Sequence, residues 1–110
     1  MNLGHLHISF QDLSGAVKWM KQFFEKEPAY QNPNMAVFTF NEASLIFDKS
    51  DVNTDLTIAF NSENCDKDFA KIVERGAEII ESPSDKDWGV RVAYIKGPGS
   101  ATIEIEQQLP

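Results

Sequence analysis

Hydrophobic and polar positions alternate along the chain in two recurring rhythms. Residues 3–10, LGHLHISF, alternate strictly, the period of a half-buried strand. Leu13, Val17, Met20 and Phe24 then recur at helical spacing, with lysines and Glu25 among the polar positions. Asp12 or Ser14 is placed to cap this helix. Glu27-Pro28 is expected to end it, because a residue before proline is pushed out of the helical region. A short stretch at 29–31 precedes a predicted strand at 35–40. Asn41-Glu42 marks a tight turn, and 44–48 forms the second arm of a hairpin. The polar stretch 49–54 reads as a linker.

The second half repeats this plan. Residues 56–60 read as a strand. Asn64 can cap a helix with Phe69, Ile72 and Val73 on one face, and Gly76 is placed to stop it. A strand at 77–81, a loop at 83–86 and a strand at 90–95 follow. Gly97-Pro98-Gly99-Ser100 reads as a turn into a last strand at 102–106. Leu6-His7-Ile8-Ser9-Phe10 overlays Leu56-Thr57-Ile58-Ala59-Phe60, fifty positions later (56 − 6 = 50). A tandem βαβββ duplication is the simplest account. It predicts one α+β domain over 1–110, with modules at about 1–50 and 54–108. In this arrangement a curved mixed sheet surrounds a cleft. Each helix covers one sheet face and leaves the other to line that cleft.

Composition narrows the partners. With 42% hydrophobic and 11% aromatic residues, the 110-residue chain can bury a real core. No apolar run nears the roughly 20 residues that span a bilayer, so no membrane partner is expected. The N-terminal stretch lacks the basic and apolar regions of a secretory signal. Cys65 is the one cysteine, which excludes an internal disulfide and fits a reducing, cytoplasmic setting. The net charge is −7 and the basic residues are scattered singly, which argues against a nucleic-acid partner. Such a charge suits a cationic small molecule, or serves solubility alone.

Three segments carry a family resemblance. The first is Gly4-His5-Leu6-His7-Ile8-Ser9-Phe10-Gln11-Asp12-Leu13, a histidine seven residues before an Asp-Leu helix start. The second is Thr57-Ile58-Ala59-Phe60, leading into a helix that closes on Glu74-Arg75-Gly76. The third runs from Trp88 to Ile105 and is similar to a closing hairpin in which a D-P-D-G-N turn precedes a strand reading I-E-[LIV]. Together they resemble the vicinal oxygen chelate superfamily of glyoxalases, bleomycin-resistance proteins, fosfomycin-resistance enzymes and extradiol dioxygenases. The turn departs from that pattern: Gly97 and Gly99 stand for both aspartates, and Ala101 for the asparagine. Pro98 and the flanking strands are retained, and glycine permits the turn's backbone angles.

The resemblance implies where a metal would bind. The family's metalloenzymes hold an ion with side chains on the first, fifth and eighth strands, and glyoxalases add one on the fourth. The matching positions here are His5, Thr57, Glu104 and Ile46. Only His5 and Glu104 keep a ligand type, and they form either half of a metal site or an inherited hydrogen-bonded pair. His7 shares a strand face with His5 and is the candidate substitute ligand, and Glu106 shares one with Glu104. Asp48 and Ser44 share a face with Ile46.

Phe38, Phe40, Trp88 and Tyr94 are candidates for an aromatic ligand wall, with strand core as the alternative for the two phenylalanines. Arg91 would pair with an anionic ligand, with Glu104, or in a surface ion pair. Gly97-Pro98-Gly99 is a hairpin turn and not a phosphate loop. The expected function is metal-free sequestration of a small molecule, as in the bleomycin-resistance branch, with no cofactor. The alternative is a divergent lyase, isomerase or dioxygenase using a divalent metal on His5 and Glu104. A scaffold without a ligand is a third option. The resemblance also implies a homodimer.

Overall fold

A computed structural model describes residues 1–51, 55–98 and 101–110. Residues 52–54 of the expected linker, and Gly99 and Ser100 of the expected closing turn, lie outside the described residues. The elements follow the order β1 (Asn2–Phe10), α1 (Leu13–Phe24), β2 (Tyr30–Asn32), β3 (Met35–Phe40), β4 (Ala43–Lys49), β5 (Leu56–Asn61), α2 (Cys65–Glu74), β6 (Ile79–Lys86), β7 (Val90–Lys96) and β8 (Thr102–Gln108). This is βαβββ twice over, as the repeated rhythm predicts. Among the described residues, no helix is long and apolar enough to cross a membrane.

The chain divides into two compact units. One is His5–Leu56; the other is Met1–Gly4 together with Thr57–Pro110. In the first, the strands lie in the order β2-β3-β4-β1. β1 runs parallel to β4 across the α1 crossover, and the hairpin contacts β3–β4 and β2–β3 are antiparallel. In the second, the order is β5-β8-β7-β6, with β5 parallel to β8 and the remaining pairs antiparallel. The two units share one connection plan.

Asp12 caps α1, its Oδ1 accepting the Gly15 N–H at 2.9 Å. Leu13, Val17 and Met20 are buried against Ala36, Phe38 and Phe47, with Ile8, Phe10 and Leu45 at the edge of the cluster. The helix stops at Phe24, before Glu27-Pro28, because Glu25 turns into the left-handed region at φ 51°. The buried stripe therefore ends at Met20, and Phe24 is exposed rather than part of the inner face.

Asn64 caps α2 by accepting the Lys67 N–H at 3.1 Å, and Gly76 follows the helix with φ 103°. Phe69 and Ile72 pack onto Cys65, Ala93 and Ile105. One element differs from expectation. The loop expected at 83–86 is strand: β6 extends to Lys86, with register shifts against β7 between Ile79 and Glu81 and between Glu81 and Ser84. Pro83 has no N–H to donate, and β6 is the outer strand of its sheet, where that loss is tolerated.

Candidate functional site

Strand alternation sorts the candidate residues by face. In the first unit, Ile8, Phe10, Phe38 and Phe47 face α1. His5, His7, Ile46 and Asp48 take the other face, where His5 is in register with Ser44 and His7 with Ile46. The His5 and His7 rings meet edge to face, with centroids 4.7 Å apart. His7 Nδ1 lies 2.7 Å from Asp48 Oδ2. An ionised carboxylate only accepts, so the Nδ1 carries the proton and donates it to Asp48. This carboxylate contact is the arrangement that orients many functional histidines.

Phe38 and Phe40 stand on the α1 side, which corrects their placement in the aromatic wall. Phe38 is buried, with its ring centroid 5.2 Å from that of Phe47. Phe40 lies half-exposed beneath the Lys26 ammonium, 4.8 Å from the ring centroid. The physical reason is parity: Phe38 pairs with Leu45 and Val37 with Ile46, so the phenylalanines and Ile46 take opposite faces.

In the second unit, Tyr94 faces Glu104 across the β7–β8 ladder, and Val92 faces Glu106. Thr57 is in register with Thr102, and Ala59 with Glu104. The Tyr94 hydroxyl donates to the Glu104 carboxylate. Burial, then the Glu104 charge and this hydrogen bond, with Glu81 and Glu106 adding to them, hold the phenol well above its ordinary pKa. Glu104 is 8% exposed. Glu81 forms an ion pair with Lys86 at 2.9 Å.

Arg91 does not serve Glu104. It sits on the α2 side of β7 and ties Asp66 of α2, at 3.1 Å, to Asp85 of β6, at 2.8 Å. Odd and even positions on β7 face opposite ways, which separates Arg91 from Tyr94. These two aspartates raise the guanidinium pKa further. Trp88 is 70% exposed in the turn before Gly89. Cys65 is fully buried, and its Sγ contacts the Ile105 carbonyl oxygen at 3.4 Å. Burial, first, and the nearby Asp66 push its thiol pKa up, which makes it inert rather than nucleophilic.

Sequence reasoning did not identify the His7–Asp48 and Tyr94–Glu104 pairs, nor the place of Glu81. The Tyr94–Glu104 pair had a usable signal. In an antiparallel hairpin the numbers of facing residues have a constant sum, here 94 + 104 = 198 and 92 + 106 = 198. Glu81 had none, because the β6 bulges break that rule.

Two βαβββ modules, each with a helix on one sheet face and acidic or histidine-bearing strands on the other, define a glyoxalase-like fold. The chain belongs to the Glyoxalase/Bleomycin resistance protein/Dioxygenase superfamily, whose sequence model matches residues 2–105. Similar solved structures include a variant of Streptomyces coelicolor methylmalonyl-CoA epimerase in complex with 2-nitronate-propionyl-CoA. It has TM-score 0.74 and 17% identity, with 98% of this chain and 94% of that one covered. A hypothetical protein from Bacillus halodurans C-125 has TM-score 0.78 and 11% identity, with 99% and 95% covered. At these identities the likeness is one of fold. No curated protein matches the sequence.

Proposed function

We propose that the chain binds a small molecule through neighbouring oxygen atoms, with a divalent cation held on the acidic face of the second module by Glu104 and Glu106. The observation that carries this reading is the setting of Glu104. Glu104 is 8% exposed, and Glu81 and Glu106 lie near it around Tyr94. Like charges gathered on one sheet face repel, and a cation would offset that repulsion.

The donor chemistry fits such an ion. Glu104 and Glu106 each offer a carboxylate oxygen. Carboxylate oxygens suit hard divalent cations such as Mg²⁺ and Mn²⁺. Thr57 adds no comparable donor. When bound, such an ion would supply Lewis-acid polarisation of a ligand oxygen. The chain's own residues do the orienting. Tyr94 donates to the Glu104 carboxylate and fixes its orientation. With a metal, the chemistry open to the site is that of a lyase, an isomerase or a dioxygenase.

A second reading is metal-free sequestration of a small molecule. It is favoured by Thr57 and Ile46 at positions where the family resemblance puts ligands. In that reading Tyr94 and Glu104 make hydrogen bonds to the bound molecule. The acyl-CoA chemistry of the epimerase is not carried over on a likeness of fold alone.

Elemental analysis and calorimetric titration with Mn²⁺, Ni²⁺ and Zn²⁺ separate the two readings. One ion per chain is expected, bound more than about tenfold more weakly after Glu104→Gln or Glu106→Gln. No saturable uptake of any of the three ions by the folded protein would decide for the metal-free reading.

A further inference from the structure

We propose a second small-molecule site, on the α1 side of the first module, that takes an aromatic ring bearing a primary ammonium group. A cavity of about 480 Å³ opens there, lined by Phe10, Trp19, Met20 and Phe47, with Asp12 and Gly15 also at its surface. Its volume lies within the roughly 300–1,000 Å³ of small-molecule sites, and its lining is mainly apolar, as such sites require. It is separate from the residues proposed above. Phe10 and Phe47 project to the helix-bearing face of the sheet, whereas His5, His7 and Asp48 project to the other.

Two features select the ligand. The first is aromatic surface. Trp19 is 51% exposed, and its ring lies 5.1 Å from Phe23 and 5.4 Å from Phe24. A flat ring entering the cavity would cover apolar surface that now meets water. The second is the Asp12 carboxylate. Capping α1 occupies one lone pair of Oδ1, while an ionised carboxylate has about four acceptor positions. A Cβ on residue 15 would lie 2.2 Å from Asp12 Oδ2, so glycine at that position keeps the oxygen uncovered. An anion at an apolar cavity calls for a cationic donor on the ligand, and the net charge of −7 draws cations to the protein.

The test uses Trp88→Phe protein, in which Trp19 is the one remaining tryptophan of two. Its emission is titrated with 2-phenylethylamine, 2-phenylethanol and 3-phenylpropionate. The expected result is a saturable change with the amine, bound about fivefold more tightly than the alcohol, the scale of one exposed ion pair. The carboxylate should bind more weakly than both. Asp12→Asn keeps an equally good helix cap, so the fold is retained while amine and alcohol become equal. Absence of saturation, or equal affinities for amine and carboxylate in the parent, would overturn the proposal. So would sedimentation showing that a second copy of the chain covers Trp19, Phe23 and Phe24.

Discussion

Replacing Phe38 with alanine tests the assignment of faces in the first module. Phe38 is 0% exposed and lies among Leu13, Val17, Met20, Ala36 and Phe47. Truncating a phenylalanine in such a place removes its transfer free energy and leaves a cavity, about 3–5 kcal/mol in sum. Domains of this kind are stable by about 5–15 kcal/mol, so roughly a fifth or more of the total would be lost. The midpoint of thermal unfolding should fall by on the order of 10–20 °C. Phe40→Ala is the internal comparison. Phe40 is on the same strand and face, but it is 44% exposed and its polar contact is a surface cation–π pair with Lys26. Its loss should cost about 1–2 kcal/mol. Thermal and urea unfolding followed by circular dichroism measures both. Equal losses in the two variants, or an unchanged midpoint for Phe38→Ala, would refute the reasoning. Should Phe38→Ala not fold, Phe38→Leu is expected to fold with a smaller loss that still exceeds that of Phe40→Ala.

Further outcomes concern the α1 cap, Cys65 and Arg91. Asp12→Ala should destabilise by about 1 kcal/mol through loss of the α1 cap. Gly15→Ala should also destabilise, despite alanine's higher helix propensity, because its Cβ would collide with the Asp12 carboxylate; urea unfolding reads both. Cys65 should resist a thiol reagent at pH 8 in the native protein and react promptly in denaturant. Its pKa is raised on folding, so the stability linked to it is complete below the ordinary thiol value of 9.0 and declines as pH rises above it. Cys65→Ala should flatten unfolding midpoints measured between pH 9 and 10.5. Arg91→Ala should lower the unfolding midpoint in low salt and leave a smaller difference in 1 M salt, because the ion pairs it breaks are at the surface.

Much of the architecture was legible in the chain itself. Alternation in LGHLHISF, helical spacing from Leu13 to Met20, and caps at Asp12 and Asn64 are local signals, and each produced its element. The repeat was legible because the order β, α, β, β, β recurs even where residues do not. The α2 stop at Gly76 depends on a backbone angle that glycine favours. His5 and Glu104 were found as candidates, through the resemblance rather than through spacing.

What escaped the sequence was decided by pairing between strands. Period two says that Phe38 and Phe40 share a face, but not which face; that choice required α1 to settle on Phe38 and Phe47. Arg91 was readable as a cation, yet its partners Asp66 and Asp85 lie 25 and 6 positions away, on α2 and β6. His7 and Asp48 are 41 residues apart and meet because β1 runs parallel to β4. Glu81 reaches the surroundings of Tyr94 through bulges around Pro83 that no periodic pattern announces. Local backbone preference and hydrophobic rhythm act within a few residues, so the chain by itself determines its elements and their repeat. Which side chains face one another depends on register and on the helix that covers each sheet, and these exist only once the chain has folded.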